Sequence, residues 1–149
     1  MQTLTQENKQ RERSEFKALV LAQFCAVFGV AKSQQDAVLE SGLLCVDGVN
    51  VVVRDVGNDG AVELFAELGT PAPSDRLEVY RQLLQINFLD ETPGLIYGLN
   101  PRNDKVFAMC TLHGGPLEEN PNVAALLMAM AVDKIKGLRT QFSFETISD

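Results

Sequence analysis

The sequence is poor in the side chains on which most enzymes and metal sites depend. It contains no tryptophan, one histidine and three cysteines in 149 residues. The cysteines, at positions 25, 45 and 110, are odd in number and widely spaced, so they predict neither a disulfide framework nor a metal or redox motif. We expect all three to be buried thiols of a protein that stays in a reducing cytosol.

Motifs for catalysis and for cofactors are also missing. His113 precedes two glycines, but no serine lies in a Gly-x-Ser-x-Gly motif and no glycine-rich phosphate loop occurs. Residues 55–60 resemble the start of a calcium loop, yet Ala66 stands where a bidentate glutamate is needed. The adjacent Glu118 and Glu119 are expected to diverge into solvent. The sequence therefore predicts no enzymatic activity, no cofactor and no metal, and His113 is interpreted as a loop residue.

No hydrophobic run is long enough to span a bilayer. The longest, Val123–Val132, has ten residues, which is about half of what a span requires. The N-terminus places its charges ahead of an amphipathic stretch and lacks the compact apolar core of a signal peptide, so export of this chain is not expected. A net charge of -7 argues against a nucleic-acid partner, which usually needs a basic face.

Size and composition predict one globular domain over residues 1–149. Hydrophobic residues make up 46% of the chain, which is an ordinary globular value, and no repeat or composition break marks a second domain. Residues 1–12 and 143–149 are expected to be flexible tails.

The first half of the chain predicts one helix followed by strands. Apolar residues recur at helical spacing from Phe16 to Phe28, and Gly29 follows as a stop signal. Residues 43–56 are rich in β-branched residues around an Asp-Gly turn, which predicts a hairpin, and residues 57–60 form a second tight connection. Residues 61–68 fit a third strand, although their spacing also suits a helix.

The second half predicts two helices that enclose two strands. Ser74 is a candidate N-cap for a helix that carries an apolar stripe from Leu77 to Phe88. Strands follow at residues 95–99 and 106–112, and a last helix spans Val123–Leu138. The predicted fold class is thus α+β, in the order helix, three-stranded antiparallel meander, helix, two further strands and C-terminal helix.

This order of elements and several short sequence motifs resemble those of a known family. Residues 83–88 read Leu-Leu-Gln-Ile-Asn-Phe and are followed by Thr-Pro-Gly at 92–94 and then by a strand. Residues 66–69 read Ala-Glu-Leu-Gly and lead into a proline-containing loop. On these motifs the chain resembles the class I type III secretion chaperones, the Tir-chaperone-like family, from about Phe16 to Phe142. Residues 31–42 receive no assignment.

The resemblance implies a cytoplasmic bacterial homodimer that acts in virulence. Such a protein binds the N-terminal segment of a secreted effector, keeps it extended and soluble, and delivers it to the secretion apparatus, with the secretion ATPase as a further partner. An extended segment needs apolar grooves for its side chains and a free sheet edge for its backbone.

Candidate contact residues follow from the family and from residue type. For the dimer interface we expect Leu77, Tyr80, Leu83, Leu84, Ile96 and Tyr97. For the effector contact we expect Phe16, Val20, Val51, Val53, Val106 and Ala108. For every one of these residues, simple core packing is the competing interpretation.

Two other functions fit the same sequence. A regulatory adaptor of the same fold would sequester a transcriptional regulator. A small ligand-binding or hydrolytic α+β domain would instead require a deep pocket with convergent polar groups.

Overall fold

A computed structural model describes residues 2–56, 61–89, 94–113 and 121–145. Its elements in chain order are α1 (Gln2–Val27), α2 (Lys32–Ser41), β1 (Leu43–Val46), β2 (Val49–Val56), β3 (Ala61–Gly69), α3 (Arg76–Leu89), β4 (Ile96–Leu99), β5 (Val106–His113) and α4 (Pro121–Gln141). The predicted α+β order is confirmed. One element, α2, lies in the segment that received no assignment.

The strands form one antiparallel sheet in the order β1-β2-β3-β5-β4. The three-stranded meander is confirmed, and residues 61–69 form its third strand because both of their edges are paired, with β2 on one side and β5 on the other. β1 and β4 are left as the two edge strands. The predicted turn at residues 57–60 lies outside the described residues.

The hairpin between β1 and β2 has the turn that its sequence demands. Asp47 and Gly48 both adopt positive φ, 50° and 82°, and they connect the paired residues Val46 and Val49. Two consecutive positive φ angles are typical of a type I′ turn, whose twist matches that of the strands it joins.

Helices α1 and α4 pack against each other and cover one face of the sheet. The largest fully buried side chains of these layers include Leu21 and Phe24 of α1, Leu64 of β3, and Met128 and Ile135 of α4. We call the helix-covered side of the sheet the inner face and the opposite side the outer face. Helix α1 begins at Gln2, so the predicted flexibility of residues 1–12 stays a prediction.

Hydrogen bonds hold residues 139–145 against the sheet and the linker that follows β3. Arg139 of α4 donates hydrogen bonds to the carbonyl oxygens of Gly48, Glu67 and Leu68 at 3.0, 2.9 and 3.1 Å. The following residues run beside the linker between β3 and α3, where the Ala72 N–H donates to the Ser143 carbonyl and the Glu145 N–H to the Thr70 carbonyl.

The expected flexibility of residues 143–149 stays a prediction, and the structure adds contacts for the first three of them. Ser143–Glu145 are held by backbone hydrogen bonds, and the Ser143 N–H also donates to a carboxylate oxygen of Asp75. Residues 146–149 lie outside the described residues.

Gly42 offers a test of the packing between α2 and the sheet. It ends α2 with φ 71°, and its carbonyl accepts a hydrogen bond from the Val53 N–H. A Cβ at Gly42 would collide with the Val53 carbonyl oxygen, whereas a Cβ at Gly29, with φ 68°, would meet nothing within 4 Å. Gly29→Ala should therefore cost about 1 to 2 kcal/mol, the cost of positive φ alone.

We expect Gly42→Ala to lower the free energy of unfolding by about 1 to 3 kcal/mol more than Gly29→Ala, because the backbone must also shift. Urea unfolding of the two variants measures the difference. Equal losses would show that the contact between α2 and β2 gives way without cost.

Candidate partner-binding surfaces

Helix α3 has one buried side and one apolar side that the described residues leave uncovered. Val79 and Leu83 point into the core, while Leu77, Leu84 and Phe88 are 83%, 70% and 88% exposed. The exposed side chains line an open depression of about 750 Å³. Large apolar side chains at such exposure, along one side of a single helix, are typical of a surface that another molecule covers.

The predicted dimer residues divide between this surface and the core. Leu77, Leu84 and Ile96 are exposed and Tyr80 is half-buried. Leu83 and Tyr97 are only 5% and 6% exposed, so they belong to the core of the protomer. Helical spacing alone does not separate these groups, since adjacent residues such as Leu83 and Leu84 fall on either side of the boundary of a buried stripe.

The residues predicted to contact an effector all lie in the core. Phe16, Val20, Val51, Val53, Val106 and Ala108 are each no more than 4% exposed. Their side chains are covered within the packed layers of helices and inner sheet face, and in this conformation they have no surface to offer a partner. The competing interpretation, core packing, accounts for all six.

The outer face of the sheet carries an apolar row instead. Each strand contributes one residue, and the strand register places these residues side by side in the order Leu43, Val52, Phe65, Met109 and Ile96. The two end members are each 55% exposed and the three central ones are half-buried. We call these five residues the outer-face row.

An aromatic groove lies along this row. Phe65 and Phe107 meet edge to face with ring centroids 6.3 Å apart, and the Arg54 guanidinium stands 4.9 Å above the centre of the Phe65 ring. With Val52 and Met109 they line a groove of about 400 Å³. Arg54 also pairs with Glu63 at 3.4 Å, which holds the cation at the rim. The groove is apolar in its floor and charged at one side, the usual composition of a binding surface for peptide.

The sequence itself carries a signal for this row. The segments Val51–Val53 and Val106–Met109 are apolar at odd and even positions alike. A strand with one solvated face should alternate between apolar and polar residues, so unbroken runs predict that both faces are covered. One set of these positions lies on the inner face, under the helices. The other set, with Val52, Phe107 and Met109, lies on the outer face and is only half-buried.

The two sheet edges differ in their backbone hydrogen bonds. At β4, the side-chain amide of Asn87 donates from Nδ2 to the Tyr97 carbonyl and accepts from the Tyr97 N–H at Oδ1, both at 2.9 Å. At β1, the Leu43 N–H donates to Ser41 Oγ at 3.1 Å.

The cysteine and histidine side chains of the described residues differ in their burial. Cys25 and Cys110 are buried, and burial raises the pKa of the Cys25 thiol. Cys45 is exposed on β1, so the expectation that all three thiols are buried is wrong for this one.

His113 ends β5 in an exposed position. Within the described residues no group of histidine, cysteine or carboxylate side chains could hold a metal ion, and no helix is long and apolar enough to cross a bilayer. Glu118 and Glu119 lie outside that part of the chain.

Comparison with solved structures identifies the fold. No protein-family model and no curated protein matches the sequence. The chain superimposes on the Yersinia pestis type III secretion chaperone SycH, crystallised in complex with a stable fragment of YscM2, with a TM-score of 0.56 and 15% identity over 82% of this chain and 98% of that one. It also matches the crystal structure of the ExsC-ExsE complex, with a TM-score of 0.52 and 15% identity over 67% of this chain and 74% of the other. The chain has the fold of a type III secretion chaperone, which confirms the predicted resemblance at the level of fold.

Tyr97 predicts an alkaline loss of stability. Burial raises its pKa from 10.0 to about 12. Between these values the unfolded chain releases the phenolic proton and the folded protein retains it, so stability falls as pH rises from 10 to 12. We expect Tyr97→Phe to remove this part of the fall, measured by urea unfolding across that range. The control Tyr80→Phe, which leaves Tyr97 in place, should follow the wild-type curve; a Tyr97→Phe curve that also follows it would contradict the assignment.

Proposed function

We propose that the protein is a type III secretion chaperone that works as a homodimer in the bacterial cytosol. It binds the N-terminal segment of a secreted effector, keeps that segment extended and soluble, and delivers it to the secretion machinery and its ATPase. The observation that carries this proposal is the pair of uncovered apolar surfaces, α3 and the outer-face row, on a fold shared with a secretion chaperone.

The exposed side of α3 is the proposed dimer interface. Leu77, Leu84 and Phe88 form a strip along a helix that is otherwise attached to the protomer mainly through β4. A symmetric pair of such helices would bury both strips at once, since a two-fold interface joins the same patch on each copy.

The outer-face row and its groove form the proposed effector contact. Extended chain places side chains alternately on two sides, so a segment can insert every second side chain into an apolar groove while its backbone pairs with a strand edge. The aromatic rings of Phe65 and Phe107 supply most of the floor of this groove. The six core residues first expected at this contact hold the inner face in place.

The chain itself provides no sign of a catalytic function in its described part, and we propose a binding role without enzymatic activity. Among the described residues that line the groove, Arg54 is the one charged side chain, and it is already paired with Glu63. A hydrolytic or small-ligand site would need several convergent polar groups in one pocket.

Purification from the native cytosol tests the function. We expect the tagged chain to be a homodimer of about twice 16.3 kDa that retains one secreted protein through the N-terminal segment of that protein. Met109→Glu, which places a charge in the groove, should reduce the retained protein at least about tenfold, whereas His113→Glu, exposed on the same strand and opposite Ala61, should leave it unchanged.

A transcriptional regulator as the sole retained partner would favour the adaptor alternative. A partner-free monomer that retains a small molecule would contradict the proposal. Mass spectrometry of the retained material and light scattering distinguish these outcomes.

Two adjacent leucines separate dimerisation from folding. Leu84→Glu places a charge on the exposed side of α3, so the protein should fold and become monomeric. Leu83→Glu places the charge in the core and should unfold the protein or cost several kcal/mol, about 3 or more. Light scattering and circular dichroism of both variants check these outcomes. A Leu84→Glu protein that remains a dimer would exclude α3 as the interface.

A further inference from the structure

We infer that Asn87 decides which edge of the sheet accepts the backbone of a partner. Its side-chain amide closes the β4 edge, and the partner segment is directed to the β1 edge. The inference rests on the proposed function for the identity of the partner, but the choice of edge follows from hydrogen bonds within this chain.

Asn87 imitates a neighbouring strand. Its carboxamide gives one donor and one acceptor to the same residue, Tyr97, with both hydrogen bonds at 2.9 Å. A main-chain partner in an antiparallel ladder makes the same reciprocal pair of bonds with the residue opposite. The position beside Tyr97 is therefore already occupied, by a side chain delivered from α3.

Little of the β4 edge remains after this contact. Residues along an antiparallel strand direct their backbone groups alternately to the two sides. The Asn100 N–H donates to the Lys105 carbonyl at 2.8 Å, so Asn100 faces β5, and Leu99 and Tyr97 face outward. With Tyr97 occupied, only Leu99 in this strand has outward backbone groups to offer. A single residue cannot fix the register of an added strand.

The β1 edge is more open. The Val53 N–H donates to the Gly42 carbonyl, so Gly42 faces β2, and Leu43 and Cys45 face outward by the same alternation. Ser41 Oγ takes the Leu43 N–H. The Leu43 carbonyl and both backbone groups of Cys45 have no hydrogen-bond partner within the described residues. They form three successive sites for an added strand.

The open edge also adjoins the proposed effector contact. Leu43 is the β1 member of the outer-face row. A strand added beside β1 extends this row by one residue, so backbone pairing and side-chain insertion are continuous for one extended segment. At the opposite edge, α3 stands beside β4 and its exposed side is assigned to the second protomer.

Thiol exchange with a strand-forming peptide tests the inference on the full-length chain. The probe is a short peptide of alternating threonine and valine with one activated disulfide. The rate at which the peptide exchanges with a thiol at each edge is measured first. It is divided by the rate at which a small aromatic disulfide exchanges with the same thiol, and we call the result the exchange ratio. Because the intrinsic reactivity of the thiol affects both rates, the ratio reports docking of the peptide. The native thiol Cys45 reports the β1 edge. Leu99→Cys combined with Cys45→Ser reports the β4 edge.

We expect the ratio to be about tenfold higher at β1 than at β4, because docking raises the effective concentration of the peptide. Adding Asn87→Ala to the β4 reporter should raise its ratio about tenfold. Loosening of α3 alone would raise both rates together and leave the ratio unchanged. Asn87→Asp, which keeps the acceptor and loses the donor, should give an intermediate ratio.

Equal ratios at the two edges of the chain that retains Asn87 would overturn the inference, and this comparison needs no variant of Asn87 to fold. A β4 ratio that Asn87→Ala leaves unchanged, in a protein with wild-type circular dichroism, would also overturn it. No effector is used, so a chain that passes this test but retains no secreted protein from its cytosol would keep the edge assignment and lose the proposed function.

Discussion

The one-sided covering of the sheet is the constraint from which the other features of this molecule follow. Five strands offer two faces, and helices α1 and α4 cover only one of them. The burial of that face forms the core, with side chains such as Leu64 and Met128 completely enclosed. The outer face keeps apolar side chains that the described residues do not cover. A fold built in this way has a packed core and an apolar surface beside it, which suits the binding role that we propose.

The sequence predicted the fold well because the local signals were strong and mutually consistent. The Asp-Gly turn fixed the first hairpin, and Gly29 marked the end of α1. The spacing of residues 61–69 suits a helix as well as a strand. Pairing with β2 on one side and with the distant β5 on the other makes this segment a strand. Helix α2 was missed because it is short and polar, with one buried residue, Val38, and therefore has almost no periodic apolar signal.

The candidate site was predicted less well, for a physical reason. Apolar side chains at a contact surface and in a core have the same composition, and only the third dimension separates them. Val51 and Val52 are neighbours in sequence, yet one is fully buried under the helices and the other lies on the outer face. Leu83 and Leu84 separate in the same way on α3. Helix α3 does expose an apolar side, while individual residues could be assigned to that side or to the core only after the register and the helix orientation were known.

The hydrogen bonds that hold α4 to the sheet have a consequence for folding during synthesis on the ribosome. Arg139 binds carbonyl groups of residues 71 to 91 positions earlier, and the Ser143 segment pairs with the linker ahead of α3. These contacts cannot form until residues 139–145 have left the exit tunnel. Helix α4 therefore joins the inner face after the meander has been made, and until then α1 alone packs against that face. Until α4 has been synthesised, the apolar side chains that it covers in the folded protein are open to association with other chains.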